Sequence, residues 1–213
     1  SRSLNLGAAL AEAGLRWQMG TGSIGVSPSL LLLSVANRPF RAADSIRFDW
    51  SEVDVDGGMR ALRVESGRYR HAAEYLDLDA DVRSISGNRR WKFPVAAIES
   101  IEIAAGVRNE RNRRSLPDLS NRGAHASVEL GWKLAGGDWT ANALWQVSRF
   151  RAPGPDGLGV RRDRFLALDV TAEWPLSQRL ALRTSLATSD NRSQPAIYNN
   201  RRHAVDIALV ARW

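Results

Sequence analysis

The chain has 213 residues and a net charge of +7, and its 30 basic residues are all arginine except Lys92 and Lys133. It has no cysteine, which excludes a disulfide scaffold, a thiolate metal site and a cysteine nucleophile, and three histidines leave little for a histidine-rich metal centre. No segment approaches the ~20 consecutive apolar residues of a membrane-spanning helix, although a spanning barrel hides its apolar half by alternation.

Hydrophobic periodicity of two dominates along the chain. The predicted strands cover roughly 4–18, 23–35, 44–54, 59–67, 74–85, 89–107, 123–134, 138–150, 163–174, 178–188 and 203–213, about eleven in all. Near the first of these, Trp17 stands just before Gly20. In the third, Ile46, Phe48 and Trp50 alternate with Arg47, Asp49 and Ser51. In the fifth, Leu76, Leu78, Ala80 and Val82 alternate with Asp77, Asp79, Asp81 and Arg83. A helix would scatter these charges around its axis, whereas a strand gathers them on one side, which then needs water. Further on, Ala124, Ala126, Val128, Leu130 and Trp132 oppose His125, Ser127, Glu129, Gly131 and Lys133. Leu166, Leu168, Val170, Ala172 and Trp174 oppose Ala167, Asp169, Thr171 and Glu173. In the last strand Val205, Ile207, Leu209, Ala211 and Trp213 oppose Ala204, Asp206, Ala208 and Arg212.

Tight turns are predicted at 19–22, 56–58, 86–88, 135–138 and 174–178. They alternate with longer polar segments at 36–43, 67–73, 108–122, 151–162 and 188–202. No shift of composition divides the chain, so residues 1–213 are expected to form one domain.

Two all-β architectures fit this pattern. One buries its apolar face in a soluble core; the other turns that face to lipid around a polar lumen. The tryptophans favour the second. Trp50, Trp91, Trp132, Trp139, Trp174 and Trp213 stand near strand ends, where a membrane-interface girdle places amphipathic rings. The arginines favour it too, because they concentrate in the long segments and guanidinium pairs bidentately with phosphate. Arg111, Arg113, Arg114, Arg161, Arg162, Arg201 and Arg202 are therefore expected to face a phosphate-rich lipopolysaccharide leaflet. The expected lumen lining is Arg47, Asp49, Arg63, Glu65, Asp77, Asp79, Asp81, Arg83, Glu102, His125, Glu129, Lys133, Gln146, Asp169, Glu173, Arg183, Asp206 and Arg212.

The alternation of His203, Val205, Ile207, Leu209 and Ala211, ending in Trp213, resembles the final strand of bacterial outer-membrane β-barrel proteins. In that family the barrel-assembly machinery recognises a terminal aromatic, more often Phe. The stretch Ser189–His203 also looks like the last outer loop of barrels that follow tetratricopeptide repeats, such as the surface lipoprotein assembly modifiers. The resemblance implies an antiparallel, up-and-down transmembrane β-barrel in the bacterial outer membrane, in contact with lipopolysaccharide and envelope protein partners. Such barrels have an even number of strands. The expectation is therefore about 12, or a C-terminal part of a parent barrel with about 14 or more.

The expected function is a pore or export channel for a solute or polymer. A non-conducting structural or assembly barrel is the first alternative. A lipid-modifying hydrolase is the second, because outer-membrane phospholipases and deacylases use a His-x-Ser element like His125-Ala-Ser127. In this chain Val128 replaces their Asn, and Ala126, Val128 and Leu130 hold the face their catalytic residues use. No catalytic residue, metal or cofactor is therefore expected. Nor is a nucleic-acid partner, since the arginines do not interleave with stacking aromatics.

Overall fold

The structure, a computed structural model, describes residues 6–93, 97–154, 157 and 159–211. It is an all-β, antiparallel, up-and-down sheet of 12 strands. The first six are β1 (Leu6–Glu12), β2 (Leu15–Met19), β3 (Gly22–Val35), β4 (Arg38–Val53), β5 (Met59–His71) and β6 (Ala80–Lys92). The second six are β7 (Ile98–Asn112), β8 (Asn121–Leu134), β9 (Gly137–Pro153), β10 (Val160–Pro175), β11 (Leu180–Gln194) and β12 (Asn200–Ala211). Each pairs with the next along the chain from β3 to β12, while β1 and β2 both lie against β3. Among the described residues no pairing joins β12 to β1 or β2.

β1 and β2 are one strand interrupted. The register runs unbroken from Leu15↔Val26 to Glu12↔Ser29. The interruption at Ala13–Gly14 faces Pro28, which has no N–H to give the ladder; its carbonyl still accepts from the Ala13 N–H at 3.3 Å. The twelve strands therefore fill eleven positions across the sheet.

The links fall on two rims. One rim carries short links at 20–21, 54–58, 93–97, 135–136 and 176–179. The other carries links of five to eight residues at 72–79, 113–120, 154–159 and 195–199, three of which contain a 3-10 turn, together with a two-residue turn at Ala36-Asn37. Ala36 and Asn37 have φ of 50° and 63°, and Ala135 and Gly136 have 52° and 74°, the geometry that suits two-residue hairpins.

Several predicted boundaries are corrected. Ala73–Leu78 is a 3-10 turn, not strand. There the Asp79 carboxylate accepts from the His71 backbone N–H at 2.6 Å, a local bond that competes with the ladder. Residues 86–88 are mid-strand in β6, and the Asn88 amide donates across the sheet to Glu102 at 2.6 Å instead of turning the chain. The real link lies between Lys92 and Ile98, so the two strands predicted for 74–107 are displaced toward the C-terminus. Strands also run much further into the segments taken as long loops. Arg108, Arg111, Arg122, Arg149, Arg151, Arg161, Arg162, Arg192, Arg201 and Arg202 all lie on strands. Their polarity conceals an alternation that continues beneath it.

At Gly106 the missing side chain makes room for a neighbour on the next strand. A Cβ on Gly106 would meet the His125 ring at 2.6 Å and the Ile85 carbonyl at 2.7 Å, whereas one on Gly87 would meet nothing closer than 3.4 Å. Gly106→Ala is expected to lose about 1–3 kcal/mol, read as a lower urea midpoint by tryptophan fluorescence. Gly87→Ala should unfold within error of the parent; equal midpoints for both would refute the packing argument.

Candidate functional site

The register sorts side chains onto two faces along the ladder from β8 to β12, with one local shift between Val160 and Arg162. Trp132, Trp139, Ala172, Thr184 and Ile207 form one cross-strand row, and Val128, Ala143, Leu168, Thr188 and His203 form another. The apolar face is the exposed one. Phe48, Ile103 and Leu166 are 51%, 47% and 44% exposed, whereas the Asp49 and Glu173 side chains on the opposite face retain only 18% and 17%. Among the described residues the buried apolar side chains are alanines alone, and no large side chain is fully buried.

The polar face is concave, because its side chains meet across intervening strands. Arg47 on β4 hydrogen-bonds Glu12 on β1 over β3, and Arg90 on β6 reaches Glu129 on β8 at 3.4 Å over β7. Arg108 on β7 donates to the Tyr69 hydroxyl on β5 at 2.7 Å over β6. Asp49 sits between Arg47 at 2.8 Å and Arg63 at 2.7 Å. Glu102 takes Arg90 at 2.6 Å and the Asn88 amide. Glu173 takes Arg183 at 2.7 Å. Between the first two groups runs a trough of about 440 Å³ lined by Asp49, Arg63, Asn88, Glu102, His125 and Ser127. At the short-turn rim, Lys133 holds its proton more tightly than a free lysine, because it donates to Glu99 and is drawn electrostatically to Glu99 and Asp138.

Arg212 lies outside the described residues. Of the other expected lumen residues, Arg47, Asp49, Arg63, Glu65, Glu102, His125, Glu129, Lys133, Gln146, Asp169, Glu173, Arg183 and Asp206 lie on this concave face. Four do not. Asp77 is in the 3-10 turn and Asp79 caps it. Asp81 and Arg83 are on β6 but on the convex face, in register with Arg68 and Ser66 and in phase with Ile85. Glu12, Tyr69, Asn88, Arg90 and Arg108 belong to the concave network and were not expected there. Placing β6 correctly would have put Asn88 and Arg90 on the same face as Glu102.

Six tryptophans, Trp17, Trp50, Trp91, Trp132, Trp139 and Trp174, lie on the convex face beside the short-turn rim. Trp132 stacks on Trp139 at 6.0 Å, and Trp139 meets Trp174 edge-on at 5.3 Å. Trp145 is mid-strand, and Trp213 lies outside the described residues. The other rim of this face is basic. Arg111, Arg162 and Arg201 are on it. Arg113 and Arg114 are in the 113–120 link, paired with Asp81 at 3.9 Å and Asp77 at 3.3 Å. Arg161 and Arg202 turn the other way. Arg161 pairs with Asp163 at 2.9 Å beneath the Tyr198 ring, and Arg202 shares the concave side with Ser189.

His125 and Ser127 are neighbours on one face of β8. No hydrogen bond joins them among the described residues, and residues two apart on a strand stand about 6.6 Å apart.

No protein-family profile matches the sequence, and no curated protein matches it. The network itself can be tested by a double-mutant cycle. Arg90→Met with Glu102→Gln should show a coupling of about 1 kcal/mol, whereas Arg90→Met with Asp206→Asn should be additive within about 0.5 kcal/mol. A coupling near zero for the first pair would remove the Arg90–Glu102 link from the account.

Proposed function

We propose that this chain forms the wall of a bacterial outer-membrane β-barrel acting as a pore or export channel for a solute or polymer, with the concave face lining the lumen. The observation that carries this reading is the inverted burial at mid-strand: Phe48, Ile103 and Leu166 point outward while the Arg47–Asp49–Arg63 and Arg90–Glu102–Glu129 ion pairs point inward. In water, such an exposed apolar face would be an aggregation surface; against hydrocarbon it is matched. The band fits in height. From Trp174 to Leu166 on β10 the strand rises about 27 Å, or about 19–22 Å at the usual tilt, close to the ~25 Å band of such barrels. The tryptophan row then sits at one interface and the arginine row at the other, beside lipopolysaccharide. The last strand would engage the barrel-assembly machinery.

A non-conducting assembly barrel, partnered by envelope proteins, is the second reading. It is favoured by the Arg47–Glu12 and Arg90–Glu129 bridges, which take up lumen space beside the wall. Reconstitution separates the two. The pore reading expects insertion into vesicles, heat-modifiable gel migration and discrete conductance steps in a planar bilayer. Correct insertion without current supports the assembly barrel. A folded, monodisperse sample in plain buffer overturns both.

A further inference from the structure

On the convex face, beyond the apolar band, cross-strand register lines up Arg83, Asn109, Arg122, Arg149 and Arg162 on five consecutive strands. Strands lie about 4.8 Å apart, so the row is about 19 Å long. Arg122, Arg149 and Arg162 are direct neighbours, with Cβ atoms about 4.5–5.5 Å apart, and Arg164 stands on the same face one step nearer the apolar band. Like charges placed opposite each other destabilise a ladder, yet none of these four has an acidic partner among the described residues. The nearby Arg192 and Arg201 differ, both pairing with Asp190 at 3.1 and 3.3 Å. All four unpaired arginines are exposed. A row of exposed guanidinium groups without counter-charges is complementary to a ligand carrying more than one phosphate.

A second feature identifies the kind of molecule. A depression of about 600 Å³ adjoins the row, floored by Val64, Ile85 and Val107 and edged by Arg83 and Arg122. Apolar below and cationic above, it suits an acyl chain continuous with a phosphate head.

We propose that Arg122, Arg149, Arg162 and Arg164, with the adjoining Val64–Ile85–Val107 groove, bind one lipid carrying more than one phosphate. The site rests on the reading of the convex face as lipid-facing. It differs from a general attraction to the leaflet by its position: the arginines already neutralised by Asp190 contribute little.

The test uses the full chain inserted in phosphatidylcholine vesicles or solubilised in zwitterionic detergent, with bis-phosphorylated lipid A as the probe. The R122Q/R149Q/R162Q variant should bind lipid A at least about tenfold more weakly than the parent, since three charge-assisted contacts are lost. Arg201→Gln should stay within about twofold, because its charge is already matched. Monophosphoryl lipid A should bind the parent more weakly than lipid A. The triple variant should insert normally, and without lipid A its thermal midpoint should equal or exceed the parent's, because a like-charge row has been removed. Equal weakening by the triple variant and Arg201→Gln would reduce the effect to net charge and overturn the site. Full competition by inorganic pyrophosphate would assign the row to free phosphate and overturn the lipid assignment. If the parent fails to enter phosphatidylcholine vesicles, the membrane reading falls and the site with it. Normal insertion with undiminished binding by the variant rejects the site alone.

Discussion

The backbone ladder is the interaction on which this structure depends. In a chain of this size a water-soluble fold would gather its large apolar side chains into a core. Here, among the described residues, the buried ones are alanines, glycines, serines and one asparagine. With so little apolar packing inside, order comes from strand-to-strand hydrogen bonds, continuous in register from β3 to β12 apart from a few local shifts. Everything else is arranged on the two surfaces that this ladder creates.

The two surfaces solve different problems. On the concave side, carboxylates and guanidinium groups are drawn out of open water, and each must find a counter-charge. Arg47, Asp49 and Arg63 form one such group, and Arg90, Glu102 and Glu129 another. Several of these contacts pass over an intervening strand. Small residues make room for this: Gly106 leaves space for the His125 ring. On the convex side the ordering runs along the strands, from tryptophan through aliphatic residues to arginine. That gradient gives the sheet a direction perpendicular to its ladder.

The alternation made the fold legible in the sequence. Ile46, Phe48 and Trp50, or Leu166, Leu168 and Val170, admit no helical face, and the strands built on them are present. The tryptophans near strand ends were equally readable, since both position and parity are local properties. Failure came where one residue type can serve two purposes. Asp77, Asp79 and Asp81 alternate with apolar residues as a strand would, but Asp79 uses its carboxylate to hold the preceding link. The Gly-Asn pair at 87–88 has the composition of a hairpin, yet Asn88 spends its amide on Glu102, a residue on the neighbouring strand that no local pattern reveals. Arginine-rich stretches look like loops because their polarity masks the alternation beneath it. The row formed by Arg122, Arg149 and Arg162 needs three strand registers to be known at once, and no single segment contains it.

The interruption at Ala13–Gly14 has a geometric consequence. Because β1 and β2 occupy a single place, eleven places separate one edge from the other, and the two edge strands point the same way. A seam drawn directly between them would be a parallel pair, with slanted hydrogen bonds, in an otherwise antiparallel wall. A wholly antiparallel circuit instead requires an odd number of further strands between β12 and β1. Pro28, by removing a single N–H, thus fixes where the first strand breaks, while the parity of the places decides what kind of junction can complete the ring.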